Sequence, residues 1–247
     1  VYNSFRIGSC CNAKCQHVIA LAQKLQNEDP QKIGKPDPSI AVPTIQAIAY
    51  SANSDELREL YANLLAAAMN LDTRDMVHPS FVEIIKQLSP IDAKIFNEID
   101  YDYNDEEQEP VVIAKLGVEF YELKVDANET TAELDIQKTW QVDDLTSIQF
   151  AERSIVTFSL ENLSRLNLIK RSNPFIDKYP NKDSGFFYRL SYHVPKSFKE
   201  SLVYNEYKMK MQKDLLKKNT KAIESYQYIE YTSFGQAFFD VCVKSSS

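Results

Sequence analysis

Ser54 to Ile99, SDELRELYANLLAAAMNLDTRDMVHPSFVEIIKQLSPIDAKIFNEI, carries the most regular pattern in this chain. Ser54 is placed to cap a helix, and behind it Leu57, Leu60, Tyr61, Leu64, Leu65 and Ala68 recur at the three- and four-residue spacing of one apolar helix face. Ser80-Phe81-Val82-Glu83 has the form of a capping box, in which serine and glutamate each satisfy a free N–H at the helix start; Phe81, Ile84, Ile85 and Leu88 form the stripe that follows. Ser89-Pro90 opens a third helix, with proline at the first helical position, where its missing N–H costs nothing, and Asp92 in the first turn. The short connections between these helices predict neighbours that pack against one another.

Composition sets the class. Five glycines in 247 residues, with 44% hydrophobic and 26% charged side chains, describe an ordered, helix-rich protein large enough to bury a real core. The longest apolar runs fall well short of the roughly 18 residues that span a bilayer, and no signal peptide is visible, so a cytoplasmic location is expected and membrane contact is not. The sequence opens on Val1 and not methionine, from which a truncated natural N-terminus is expected. Charge is unevenly spread. Glu98 to Asp144 holds 15 Asp and Glu against 3 Lys and Arg, and Arg153 to Lys221 holds 15 Lys and Arg against 6 Asp and Glu. Such a division fits either nucleic-acid binding regulated by an internal acidic segment or two oppositely charged parts that attract each other.

Four segments follow. Residues 1–35 contain one predicted helix, Ala13 to Leu25; residues 36–100 form a helical core module; residues 101–146 hold an acidic linker and poorly determined strands; residues 147–247 form a mixed module with a basic helical insertion. In the core module, Ile40 to Ala52 is predicted as a helix with Pro43 in its first turn and Ile45, Ile48, Ala49 and Ala52 on its buried face. DYDYNDEEQEP, residues 100–110, has six acids and no base, and it lacks the glycine turn and ligand spacing of a calcium loop. Val111 to Val125 alternates loosely enough for one or two strands.

The last segment reads as one helix including Ile148, Ile155 and Phe158, then a second capped by Ser159 with leucines at 160, 163 and 166. Asn167 suits the left-handed conformation that ends a helix, and Leu168-Ile169 restarts the chain as a strand. Phe186 to Val194 and Tyr226 to Tyr231 read as further strands. Helix, helix, strand and strand are the parts of a winged helix-turn-helix, so the predicted class is α+β, mainly α, with a multi-helix module followed by a winged-helix-like one. On that reading Arg165, Lys170, Arg171, Lys182 and Arg189 are the candidate phosphate contacts, and DNA or RNA is the candidate partner. Pro195 to about Lys218 is predicted as a lysine-rich helix with Tyr204, Tyr207, Met211 and Leu215 in one stripe. Thr232 to Gly235 caps a closing helix.

No catalytic set emerges. His78 stands at a helix entrance near Asp72 and Asp75, but a histidine before proline also serves as an ordinary cap, and no nucleophile has a defined position beside it. Glu122-Leu123-Lys124 has the acid-x-lysine form of metal-dependent nucleases, yet Asp92-Ala93-Lys94 and Glu206-Tyr207-Lys208 share it without an upstream acid in register. Cys11 and Cys15 stand four apart beside Cys10 and His17, and nothing nearby completes a four-ligand zinc site. Glycine-rich phosphate loops and nucleophile elbows are absent from the sequence, and neither a cofactor nor a metal is assigned.

The motifs so assembled resemble one family, the Abi-alpha (abortive infection alpha) proteins of bacteria. The resemblance rests on Ile40-Ala41-Val42-Pro43, on Glu56-Leu57-Arg58 with Ala62-Asn63-Leu64-Leu65, and on the run Val77-His78-Pro79-Ser80 through Ser89-Pro90. It continues in Leu163-Ser164-Arg165-Leu166-Asn167-Leu168-Ile169 and Thr232-Ser233-Phe234-Gly235-Gln236-Ala237-Phe238. Where that family usually carries glycine before Leu168, this chain has Asn167, which tolerates the same backbone. The resemblance implies a bacterial protein linked to phage defence by abortive infection; from the residues themselves, action by binding is expected, to nucleic acid through the basic C-terminal module or to a phage or host protein. It implies no particular reaction; a protein-interaction scaffold and a metal-dependent nuclease are the alternative functions.

Overall fold

The structure is a computed structural model, and it describes residues 13–26, 28–48, 54–99, 111–125, 132–146, 148, 150–172, 176–181, 185–190, 196–217 and 219–244. Its elements in chain order are α1 (Ala13–Leu25), α2 (Pro38–Ile48), α3 (Asp55–Met69), α4 (Ser80–Gln87), α5 (Pro90–Glu98), β1 (Val112–Val125), β2 (Ala132–Thr146) and α6 (Arg153–Arg165). They continue with β3 (Ile169–Ser172), β4 (Ile176–Asn181), β5 (Gly185–Leu190), α7 (Lys196–Glu200), α8 (Leu202–Asp214), β6 (Thr220–Tyr231) and α9 (Ser233–Cys242). The class is α+β. Two compact units share the chain: residues 1–97, 159–169 and 231–247 make a helical unit, and residues 98–158 and 170–230 make a sheet unit.

Local chemistry sets the helix starts of the helical unit. The Ser54 hydroxyl accepts the Leu57 N–H at 3.2 Å and opens α3 as predicted. At α5 the cap is reciprocal: the Asp92 N–H donates to the Ser89 hydroxyl at 3.1 Å while the Ser89 N–H donates to the Asp92 carboxylate at 2.8 Å. The box expected at Ser80 and Glu83 does not form. There the His78 ring takes the capping role, its Nδ1 accepting the Ser80 N–H at 3.1 Å, and Glu83 instead pairs with Lys86. α2 also departs from expectation. Asp37 accepts the Ser39 N–H at 2.7 Å and starts the helix early, so Pro43 lies in its interior and Ile40, Thr44, Ala47 and Ile48 are buried while Ile45 faces solvent. Thr44 tolerates burial because its hydroxyl donates to the Ile40 carbonyl at 2.6 Å.

The core of this unit is aromatic at its centre. Tyr61, Phe81, Phe96 and Phe238 are almost fully buried, and Phe238 meets Phe81 edge-on at 5.4 Å and Phe96 at 5.6 Å between ring centroids. Tyr231 stacks on Phe96 and donates its hydroxyl to the Phe96 carbonyl at 2.7 Å. The two late motifs meet at the end of α6. Asn167 adopts φ +57°, and the Leu168 and Asn167 N–H groups return to the Leu163 and Ser164 carbonyls, the paired bonds of a left-handed helix stop. The Leu168 carbonyl then accepts the Thr232 N–H at 3.1 Å, and the Thr232 hydroxyl caps α9 through the Gly235 N–H at 2.8 Å.

In the sheet unit the strand order is β2-β1-β6-β3, with β1 antiparallel to both β2 and β6, and β4 and β5 form a separate antiparallel pair. β1 is a single long strand. Its glycine is functional in packing: a β-carbon on Gly117 would lie 2.6 Å from the Trp140 carbonyl oxygen, beside a register shift between Val118 and Glu119. Val112, Ala114, Leu116, Leu145, Tyr226 and Tyr228 of the sheet cluster with Phe198 of α7 and Tyr204 of α8.

Two further expectations are corrected in these elements. The helix break at Ser159 is absent; α6 runs unbroken through it with Ser159 buried at 2% exposure, because Val156, Leu160 and Leu163 make one continuous apolar stripe. The helix expected over 195–218 is divided at Ser201, whose hydroxyl accepts the Tyr204 N–H at 3.2 Å and starts α8 anew.

Candidate nucleic-acid interface

Arg165 is the last residue of α6, exposed, with its guanidinium donating four hydrogen bonds to neutral groups. Its Nε and Nη2 donate to Asn162 Oδ1 at 3.2 and 2.8 Å, and its Nη1 and Nη2 donate to Gln87 Oε1, both at 3.2 Å. Asn162 is fixed in turn. Its amide donates to the Gln87 carbonyl at 3.1 Å and to the Asp92 carboxylate at 3.0 Å, and Asp92 is 4% exposed. The helix cap at Ser89 and Asp92 therefore orients Asn162, and Asn162 orients Arg165. Among the described residues no carboxylate touches the guanidinium directly, so there its charge is positioned without being paired.

The other sequence-derived candidates belong to the sheet unit. Lys170 and Arg171 are consecutive on β3 and exposed, and the Lys170 amine lies 3.4 Å from the Glu230 carboxylate. Arg189 stands on β5 opposite Asp177 in the strand register; its side chain, like the whole of Lys182, lies outside the described residues. Gln87 and Asn162 were not among the sequence candidates. Asn162 precedes Arg165 by one helical turn and could have been noticed, whereas Gln87 arrives across 78 residues and carries no local signal.

The alternative chemistries resolve differently. His78 is a structural cap, its ring against Phe81 and Phe234 at centroid distances of 6.1 and 6.3 Å. The Glu122 side chain, Cys10, Cys11, and the side chains of Cys15 and His17 lie outside the described residues. Among the described residues no group of three His, Cys, Asp or Glu side chains could hold a metal ion. A cleft of about 440 Å³ opens in the helical unit between the start of α2 and the Arg74–Pro79 segment. Its Lys35 and Arg74 are balanced by Asp37 and Asp75, so it has no preference for an anion. Among the described residues no helix is long and apolar enough to cross a membrane.

Neither a curated protein nor a solved structure matches this chain. The family model described as Abortive infection alpha matches residues 14–242, nearly the whole length, and both segments that meet at Arg165 fall inside that match. The chain belongs to the Abortive infection alpha family.

Proposed function

We propose that this protein is a bacterial, cytoplasmic phage-defence factor that acts by binding nucleic acid, with Arg165 as its fixed phosphate contact and Lys170 and Arg171 as further cationic contacts. The observation that carries the reading is the exposed guanidinium held by Asn162 and Gln87, with no carboxylate on it among the described residues. Four of the five guanidinium N–H groups are engaged, which leaves one on Nη1 and the full positive charge for a phosphate oxygen, and pre-orientation reduces the entropy lost on binding. With α6 a single helix, this reading does not rest on a winged helix-turn-helix.

Filter binding of the full chain to duplex and single-stranded DNA and RNA across a salt series tests the proposal. Retention should fall with salt, and Arg165→Gln, Lys170→Gln and Arg171→Gln should each reduce the slope of log K against log salt by about one phosphate contact. Absence of salt-dependent retention on all substrates would overturn it.

A further inference from the structure

α8 has two apolar faces, and only one of them is used by the fold. Tyr204 and Met211 point inward and are buried, with Tyr207 and Leu215 beside them. On the opposite side Leu202 is 87% exposed and Met209 65%, and Leu216, just past the helix end, is 87% exposed. These three are seven residues apart, so they lie along nearly one line of the helix surface, spread over about 21 Å. The sheet unit's core is complete without them, and each leaves most of its apolar surface in water.

Cations flank the line. Lys199, on α7, and Lys213 make no ion pair among the described residues, and Lys210 lies over the Trp140 ring at 4.6 Å, near the Asp214 carboxylate that accepts the Trp140 N–H. Lys196 and Lys217 pair with Glu200 and Asp214 at 3.8 and 2.7 Å, and of the two acids of α8 it is Glu206 that shares the outward face. The surface is thus apolar along its ridge and net positive at its sides.

We propose that this outward face of α8 docks on an anionic lipid surface. Nucleic acid would satisfy the lysines and leave Leu202, Met209 and Leu216 in water. A second copy of the chain fits poorly, because Asn205, Glu206, Gln212 and Lys213 flank the apolar residues and would be desolvated with them. An anionic bilayer interface accommodates both parts: the leucines and methionine enter beneath the headgroups while the lysine stems reach up to the phosphates. The contact lies on the membrane and does not cross it. The sequence expectation of no membrane contact rested on run length, which does not register a periodic stripe of single apolar residues.

Co-sedimentation of the full chain with vesicles of phosphatidylcholine alone, and of phosphatidylcholine mixed with phosphatidylglycerol, tests this. The protein should pellet with the mixed vesicles only, and less so at high salt. The triple variant Leu202→Ser, Met209→Ser, Leu216→Ser should lose about tenfold or more in vesicle affinity. Because all three side chains are exposed, its circular dichroism and melting temperature should match the parent. A Lys199→Gln, Lys213→Gln variant should bind weakly with a flattened salt dependence. Failure to pellet with mixed vesicles, or pelleting that the triple variant leaves unchanged, would overturn the proposal. So would a concentration-dependent dimer that the triple variant abolishes in the absence of any vesicle binding. None of these outcomes bears on nucleic-acid binding, which is read through Arg165, Lys170 and Arg171.

Discussion

Gly235 sits so close to the Leu168 carbonyl that a β-carbon on it would overlap the oxygen. The first turn of α9 is thereby seated on the backbone that follows α6, and only a residue without a side chain permits it. Gly235→Ala should cost about 3 kcal/mol or more, since the obstructing atom is backbone and cannot swing aside. At the neighbouring left-handed position, Asn167→Ala should cost about 1 kcal/mol and Asn167→Gly should cost nothing, as read from urea midpoints.

His78 acts as a cap and can be separated from a catalytic histidine by choice of substitute. Asn can accept the same N–H from Ser80, so His78→Asn should retain most of the stability, while His78→Ala should lose about 1 to 2 kcal/mol. If the two variants melt together, the cap is energetically silent.

Asn162 holds Arg165 without adding charge. Asn162→Ala should therefore weaken nucleic-acid binding several-fold while leaving its salt slope unchanged, in contrast to Arg165→Gln, which should reduce both. Equal effects of the two variants on the slope would show that position is irrelevant and only charge counts.

Glu224 on β6 is joined to α8 through Lys208 at 2.7 Å and the Tyr204 hydroxyl at 3.4 Å, and it accepts the Tyr226 hydroxyl of its own strand. Burial opposes its ionisation, but hydrogen bonds from Lys208 and Tyr226 outweigh that and hold the carboxyl below its ordinary range. Burial and the same bond push the Tyr226 hydroxyl far above its usual range, so it stays protonated. A depressed carboxyl stabilises the fold above its unfolded titration range and loses that contribution as pH falls through its folded one. Glu224→Gln should accordingly destabilise at neutral pH and flatten the acid limb of a stability-against-pH curve measured by denaturant unfolding.

Cys242 is fully buried at the end of α9, and burial pushes its thiol well above the ordinary range. In a chain with Cys10, Cys11 and Cys15 replaced by serine, a thiol reagent should react with Cys242 only as fast as the protein opens. A rapid native-state reaction would contradict its placement.

The sequence exposed those features that local chemistry determines. Ser54, Ser89 with Asp92, Asn167 and Thr232 each bond within a few residues, and each marks a helix end by residue type and spacing alone. It failed where a distant or competing partner decided the outcome. His78 displaced the Ser80 box because its ring reaches the same N–H, and Asp37 started α2 ahead of the expected turn. Ser159 has the chemistry of a cap but lies within a stripe of Val156, Leu160 and Leu163 whose burial favours continuing the helix. Of the candidate site, Arg165 was legible as a basic residue on a helix end; its support by Gln87 depended on a contact 78 residues away.

The helical unit closes only when its last piece arrives. Asn63 of α3 donates to the Cys242 carbonyl at 2.8 Å, across 179 residues, and Phe238 sits between Phe81 and Phe96. A nascent chain must therefore be translated through α9 before that aromatic centre can assemble. A product that stops short of α9, whether from a cut message or a stalled ribosome, lacks the residue that fills the middle of its own core, and so translation of α9 becomes the checkpoint for folding of this unit.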